Sequence, residues 1–136
     1  MKLMFVDTAG WVAAADASDP KCDYTRKCRD SWIENGGILL TTDYVCSETL
    51  TVMRFRLGIN ITEKWWEQIG KSSRVQIETL DPIQIEKSRQ IFFRYKDKDF
   101  SFVDCTSFII MKELKITCAL TLDDHFRQMG FEIKPN

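Results

Sequence analysis

Short apolar runs alternate with longer stretches of helical periodicity along this chain. Residues 3–7 read as a buried strand that ends in an acid, Asp7. A helical stretch near 22–35 follows, and Gly36-Gly37 closes it because glycine stops helices. Residues 38–42 form the second strand. Asp43 is placed to cap a helix running to about Leu57, with Gly58 as its stop. Thr62 is placed to cap the next helix, in which Trp65 and Ile69 continue a stripe from Ile61. Residues 75–80 read as a third strand. Asp81-Pro82 joins an N-cap acceptor to proline at the first helical position. The helix it starts runs to about Tyr95, with Ile85, Phe92 and Tyr95 on its inner face. After the polar loop 96–99, Ser101 and Asp104 form a capping-box pattern for a helix over 102–114. Residues 116–122 are a fourth strand and 131–133 a short fifth. Strands separated by helices predict an α/β fold with a mainly parallel sheet of four to five strands.

Composition narrows the possibilities. The chain has 136 residues, 44% of them hydrophobic and 29% charged, which suits one compact domain over 1–136 rather than disorder. No repeat or low-complexity linker divides it. With 19 Lys+Arg against 20 Asp+Glu, a uniformly basic nucleic-acid coat is excluded. A polyanion partner must then be held by a local patch or by metal ions. Five cysteines (22, 28, 46, 105 and 118) make an odd count without any Cys-x-x-Cys pair. That gives neither a zinc signature nor a disulfide framework, and scattered thiols suit the cytoplasm. The apolar start with Ala13-Ala14-Ala15 imitates a signal peptide, but Asp7 cuts its apolar run short. No stretch has transmembrane length, so no membrane partner is expected.

Four acids stand out. In parallel α/β sheets, ligand sites collect outside the carboxyl ends of the strands. Asp7 and Asp123 follow the first and fourth strands, and Asp104 opens the helix leading into the fourth. Glu48 shares a helix face with Val45, Val52, Phe55 and Ile59 at steps of three and four. A carboxylate buried without a partner is costly, so Glu48 should meet a cation, either a basic side chain such as Arg54 or Arg56 or a metal. Singly, Asp104 reads as a helix cap and Asp7 and Asp123 as turn formers. Together they have one simpler cause: oxygen ligands for Mg²⁺ or Mn²⁺.

Other patterns are decoys. Asp7-Thr8-Ala9-Gly10 imitates a GTPase switch element, and Gly70-Lys71-Ser72 the end of a P-loop. Trp65 stands where the P-loop needs its first glycine, and the order of the two elements is reversed. His125, the one histidine, reads as structural or superficial, because no nucleophile signature accompanies it. Trp65-Trp66 could stack on bases, but a buried or subunit-contact stripe is the simpler reading. A phosphoacceptor receiver domain would need an acid pair after the first strand, where Asp7 is followed by Thr8.

With their neighbours, the acids resemble the PIN-domain family, in particular the VapC-type toxins of prokaryotic toxin–antitoxin pairs. Phe5-Val6-Asp7-Thr8 matches the first strand and first acid, and Ser47-Glu48-Thr49 the glutamate helix. The run from Tyr95 through Asp97, Asp99 and Asp104 to Phe108 is the most specific segment. Leu120-Thr121-Leu122-Asp123-Asp124-His125-Phe126 with Gly130-Phe131 matches the last motif. Ala9 stands where many relatives carry serine, and Asp123 fits the Thr-x-Asp pattern better than Asp124. The resemblance implies a three-layer α/β/α nuclease domain: a Mg²⁺- or Mn²⁺-dependent endoribonuclease of a type II toxin–antitoxin system. It implies Asp7, Glu48 and Asp104 as core ligands with Asp123 completing the site. Asp97 and Asp99 would orient that shell, and Thr8 and Thr121 would hydrogen-bond ligands or substrate. RNA, a small antitoxin covering the acidic groove and a second copy of the chain are the implied partners. Arg54/Arg56 or Arg94/Lys96/Lys98 would hold RNA, or serve only as solvated helix faces. Ile61/Trp65/Ile69 would serve a dimer contact or ordinary core. The alternative is a catalytically inactive PIN-like module that binds protein or RNA.

Overall fold

The computed structural model describes residues 2–136. Five strands form one parallel sheet: β1 (Leu3–Val6), β2 (Ile38–Thr42), β3 (Val75–Glu78), β4 (Cys118–Leu120) and β5 (Glu132–Lys134). Their spatial order is β3-β2-β1-β4-β5. Seven helices connect and cover them: α1 (Thr8–Ala15), α2 (Cys22–Glu34), α3 (Asp43–Leu57), α4 (Ile59–Lys71), α5 (Pro82–Arg94), α6 (Phe102–Glu113) and α7 (His125–Gln128). The three central strands are apolar on both faces. Met4, Phe5 and Val6 are wholly buried, as are Leu40 and Leu120, which is the pattern of a parallel sheet covered on both sides. Phe108 anchors one layer, with its ring centroid 5.2 Å from Phe126 and 5.1 Å from Phe100. The predicted three-layer α/β/α architecture is thus the one observed.

Several boundaries differ from expectation, each for a local reason. α1 lies where no helix was predicted. Gly10, Trp11, Val12, Ala13 and Ala14 are all buried, so the helix has no polar stripe to betray its period. Thr42, not Asp43, caps α3: its side chain accepts from the Val45 amide at 3.1 Å, while Asp43 accepts from the Leu80 amide at 3.0 Å. Likewise α4 starts at Ile59, ahead of Thr62, whose hydroxyl donates back to the Gly58 carbonyl at 2.8 Å. Gly58 takes φ +90°, where side-chain-bearing residues are strained, and this lets one residue end α3 and begin α4. On α5 Ser88 and Ile91 are buried and Ile85, with Tyr95 at the helix end, packs against the core as expected, whereas Phe92 is 37% exposed. Trp65 and Ile69 are core, which leaves Ile61 and Trp66 exposed on α4.

Helix α1 crosses close to β4. A Cβ built on Gly10 would stand 2.2 Å from the Leu120 carbonyl oxygen, a backbone atom that cannot swing aside. Gly10→Ala should therefore cost about 2–3 kcal/mol or more through overpacking. Urea unfolding would show this as a lower midpoint at unchanged slope. A midpoint equal to wild type would mean that the two elements separate freely.

Candidate metal centre

The sheet order reverses between β1 and β4: β2 and β3 build outward on one side of β1, β4 and β5 on the other. Ligand sites of open α/β sheets form at such a switch point. Here Asp7 follows β1 directly, and Thr121 and Asp123 follow β4. Helices α3 and α6 wall the opening with Glu48 and Asp104. The result is a cleft of about 340 Å³ lined by Asp7, Glu48, Asp104 and Asp123, with Thr8, Ala9, Arg56, Ser107 and His125 at its sides.

Asp7 is held firmly. It is the N-cap of α1, accepting from the Gly10 amide at 2.9 Å through one oxygen. The other accepts from the Thr121 hydroxyl at 2.8 Å, and that hydroxyl oxygen accepts in turn from the Asp123 amide at 2.9 Å. Burial pushes the Asp7 carboxyl up to about 7; its two hydrogen bonds oppose the rise, and the charges of Asp104 and Asp123 add to it.

Asp104 belongs both to a helix start and to the cleft. Ser101 and Asp104 complete the predicted capping box, with the Ser101 amide donating to Asp104 Oδ2 at 3.1 Å. The same oxygen lies 2.8 Å from His125 Nδ1. Burial raises the Asp104 carboxyl above its usual range against the pull of these two donors. Asp123 accepts from the His125 amide at 3.0 Å, and its Oδ1 is 3.2 Å from His125 Nδ1. Ligand atoms of Asp104, Asp123 and His125 all fall within 4.8 Å of one another. Phe100 packs edge-on against the imidazole at 5.4 Å and fixes its plane.

The donor set fits a hard divalent cation. Several carboxylates share a partly desolvated cleft, and burial, helped by the neighbouring acids, raises two of them. Glu48 makes no ion pair among the described residues. Arg56, expected beside it, instead reaches Asp16 at 3.3 Å, where the hydrogen bonds from Ser18 and the guanidinium hold the carboxyl below its usual range. The apolar face predicted for Glu48 also divides: Val45 is buried, whereas Phe55 is 85% and Ile59 52% exposed. Thr8 lines the cleft and accepts from the Thr49 hydroxyl at 3.0 Å.

Two expectations need correction. Asp97 and Asp99 are exposed and do not line the cleft; Asp97 pairs with Lys98 at 3.8 Å. The polar 96–99 loop precedes the α6 cap and points its charges to solvent. His125, set aside in the sequence, touches two of the four acids. The readable signal was its spacing, two residues beyond Asp123 in the turn after a strand. Asp124 lies outside the cleft and pairs with Arg127 at 2.9 Å.

The PIN domain family model matches residues 4–132, and the chain belongs to that family. It is homologous to the 23S rRNA-specific endonuclease VapC20 of Mycobacterium tuberculosis, with 28% identity over 98% of this chain and 99% of that protein. The crystal structure of VapC20, described as a Sarcin-Ricin loop cleaving toxin, superimposes with a TM-score of 0.85 at 27% identity, covering 94% and 95% of the two chains. Ribonuclease VapC26 of the same organism is 22% identical over 88% of this chain and 86% of that protein. FitAcB from Neisseria gonorrhoeae shares the fold, with a TM-score of 0.68 at 14% identity over 96% and 95% of the chains.

Proposed function

We propose that this chain is a divalent-metal-dependent endoribonuclease that hydrolyses RNA phosphodiester bonds as the toxin of a type II toxin–antitoxin pair. The observation that carries the reading is the convergence of Asp7, Glu48, Asp104 and Asp123 on one cleft at the switch point of a PIN domain. Asp7, Glu48, Asp104 and Asp123 would hold Mg²⁺ or Mn²⁺. When bound, such an ion supplies Lewis-acid polarisation of the phosphate and a lowered water pKa.

The chain's own residues prepare that centre. Thr121 and the Gly10 amide fix both Asp7 oxygens, so this carboxylate keeps one orientation whether or not it carries a proton. His125, donating from Nδ1 to Asp104, holds that acid and Asp123 together as a positioning residue. Arg56 at the cleft side offers charge to a phosphate. Cleavage inside the cell calls for a cytoplasmic RNA substrate and for a protein antitoxin that restrains it.

The names of the relatives make structured ribosomal RNA the first substrate to try. Purified protein, freed of co-purifying partners by unfolding and refolding, would be incubated with ribosomal RNA and with a pool of structured RNAs. Discrete cuts are expected in Mg²⁺ or Mn²⁺ and none in EDTA. Intact RNA under every condition would overturn the reading. In the same assay Thr121→Val should slow cutting by about 10–100-fold, the usual penalty for losing a group that orients a metal ligand.

A further inference from the structure

A second cavity, of about 470 Å³, adjoins the acid cleft and shares Glu48, Val52 and Val103 with it. Nothing in the metal chemistry uses it. Its remaining wall is the outer side of α3, where Asp43, Tyr44, Ser47 and Thr51 line it. We propose that this cavity is a nucleobase subsite, which receives an unpaired base of the RNA beside the bond held at the acids. The proposal rests on the nuclease reading above and names where its substrate is gripped.

Three observations carry it. The first is continuity, since a residue of the acid cluster, Glu48, forms part of the cavity wall. The second is lining chemistry. Val52 and Val103 give apolar walls, while Ser47 and Thr51 present hydroxyls near the solvent edge, the mixture that suits a base with a flat face and polar rim. Thr51 spends its proton on the Ser47 carbonyl at 3.3 Å, so its oxygen remains free to accept.

The third observation is an aromatic row that runs from the cavity wall to the surface. From Tyr44 it passes to Phe102 (6.2 Å between centroids), to Phe92 (5.8 Å) and to Phe93 (5.2 Å). Phe93 is 64% exposed and Phe92 37%, so the row emerges at the surface instead of closing a core. Of these rings Tyr44 lines the cavity and can stack on a base, and the tilted and edge-to-face rings behind it carry the aromatic surface outward. Expressed as recognition, this fits an RNA whose bases near the cut are unstacked, as in a loop or bulge.

The test uses an RNA stem-loop carrying 2-aminopurine at successive loop positions, bound in Mg²⁺ by the Asp104→Asn protein so that the RNA stays whole. At one position the fluorescence should be quenched on binding. Adding Tyr44→Leu should weaken binding about tenfold and release the quench, whereas Tyr44→Phe, which keeps the ring, should preserve both. Thr51→Leu fills the cavity from an exposed helix position that tolerates leucine, and should also weaken binding, so the test survives if Tyr44→Leu fails to fold. In otherwise wild-type protein the same changes should raise KM at little cost in kcat and shift the preferred cut sites. Folded Tyr44→Leu and Thr51→Leu proteins that bind and cut like wild type would overturn the subsite and leave the nuclease intact. Quenched, Tyr44-dependent binding without any cutting by wild-type protein would uphold the subsite and overturn the nuclease. If Phe92→Ser changes only the sedimentation of the protein and not its RNA affinity, the aromatic row is a contact between copies, and the proposal fails.

Discussion

Asp104→Asn is expected to abolish metal-dependent RNA cleavage, lowering kcat/KM by on the order of 10³-fold or more, while the protein stays folded. The amide is isosteric with the acid, so its oxygen still accepts from the Ser101 amide, and the Ser101 hydroxyl still accepts from the backbone amide of residue 104. The α6 start therefore survives. What disappears is the negative charge that faces His125 and Asp123 in the cleft. Groups one layer out from a metal typically matter by about 10–100-fold, so a ligand acid should exceed that. A factor of about 10³ is about 4 kcal/mol of transition-state stabilisation. The checks are initial rates on one RNA with unchanged circular dichroism. Cutting that persists within about tenfold of wild type would remove Asp104 from the chemistry.

Asp7→Asn should have a double signature: cleavage is lost, yet the metal-free protein becomes more stable at alkaline pH. Folding raises the Asp7 carboxyl from 3.8 to about 7. The folded chain therefore binds this proton more tightly than the unfolded chain, and stability from this group is full below pH 3.8 and lost as pH rises to about 7. The interval corresponds to a penalty of about 4 kcal/mol above neutrality. Asparagine removes the charge, keeps the Gly10 amide bond through its oxygen, and can donate to the Thr121 oxygen. In EDTA at pH 8 the variant should melt several degrees above wild type, and the gap should close near pH 4. Mg²⁺ or Mn²⁺ should stabilise wild type at pH 8 and leave the variant almost unmoved, because only a carboxylate is relieved by the ion. A variant less stable than wild type at pH 8 would contradict the buried, crowded carboxylate described here.

Much of the fold and of the acid cluster is legible in the sequence. Asp81-Pro82 and Ser101 to Asp104 announced two helix starts correctly because capping is local chemistry, decided by residues within one turn. The apolar strands were legible because parallel strands covered on both faces need continuous apolar runs. The α1 helix was not, since a wholly buried helix carries no polar rhythm. Glu48 was visible as a carboxylate on an otherwise apolar helix face. His125 was easily passed over because its role lies in a contact with Asp104, 21 residues away, and only its place two residues beyond Asp123 hinted at it. Asp97 and Asp99 were drawn in by motif and released by geometry.

The bond from Thr121 to Asp7 spans 114 residues and joins the turn after β4 to the end of β1. During vectorial synthesis the N-terminal acids emerge first, without the partners that orient them. Asp123 and His125 arrive more than a hundred residues after Asp7, and the Thr121 amide is then tied by the Lys134 carbonyl. The cleft is therefore assembled only once β4 and the turn after it have docked beside β1, and a variant cut before Thr121 should lose the bond that orients Asp7.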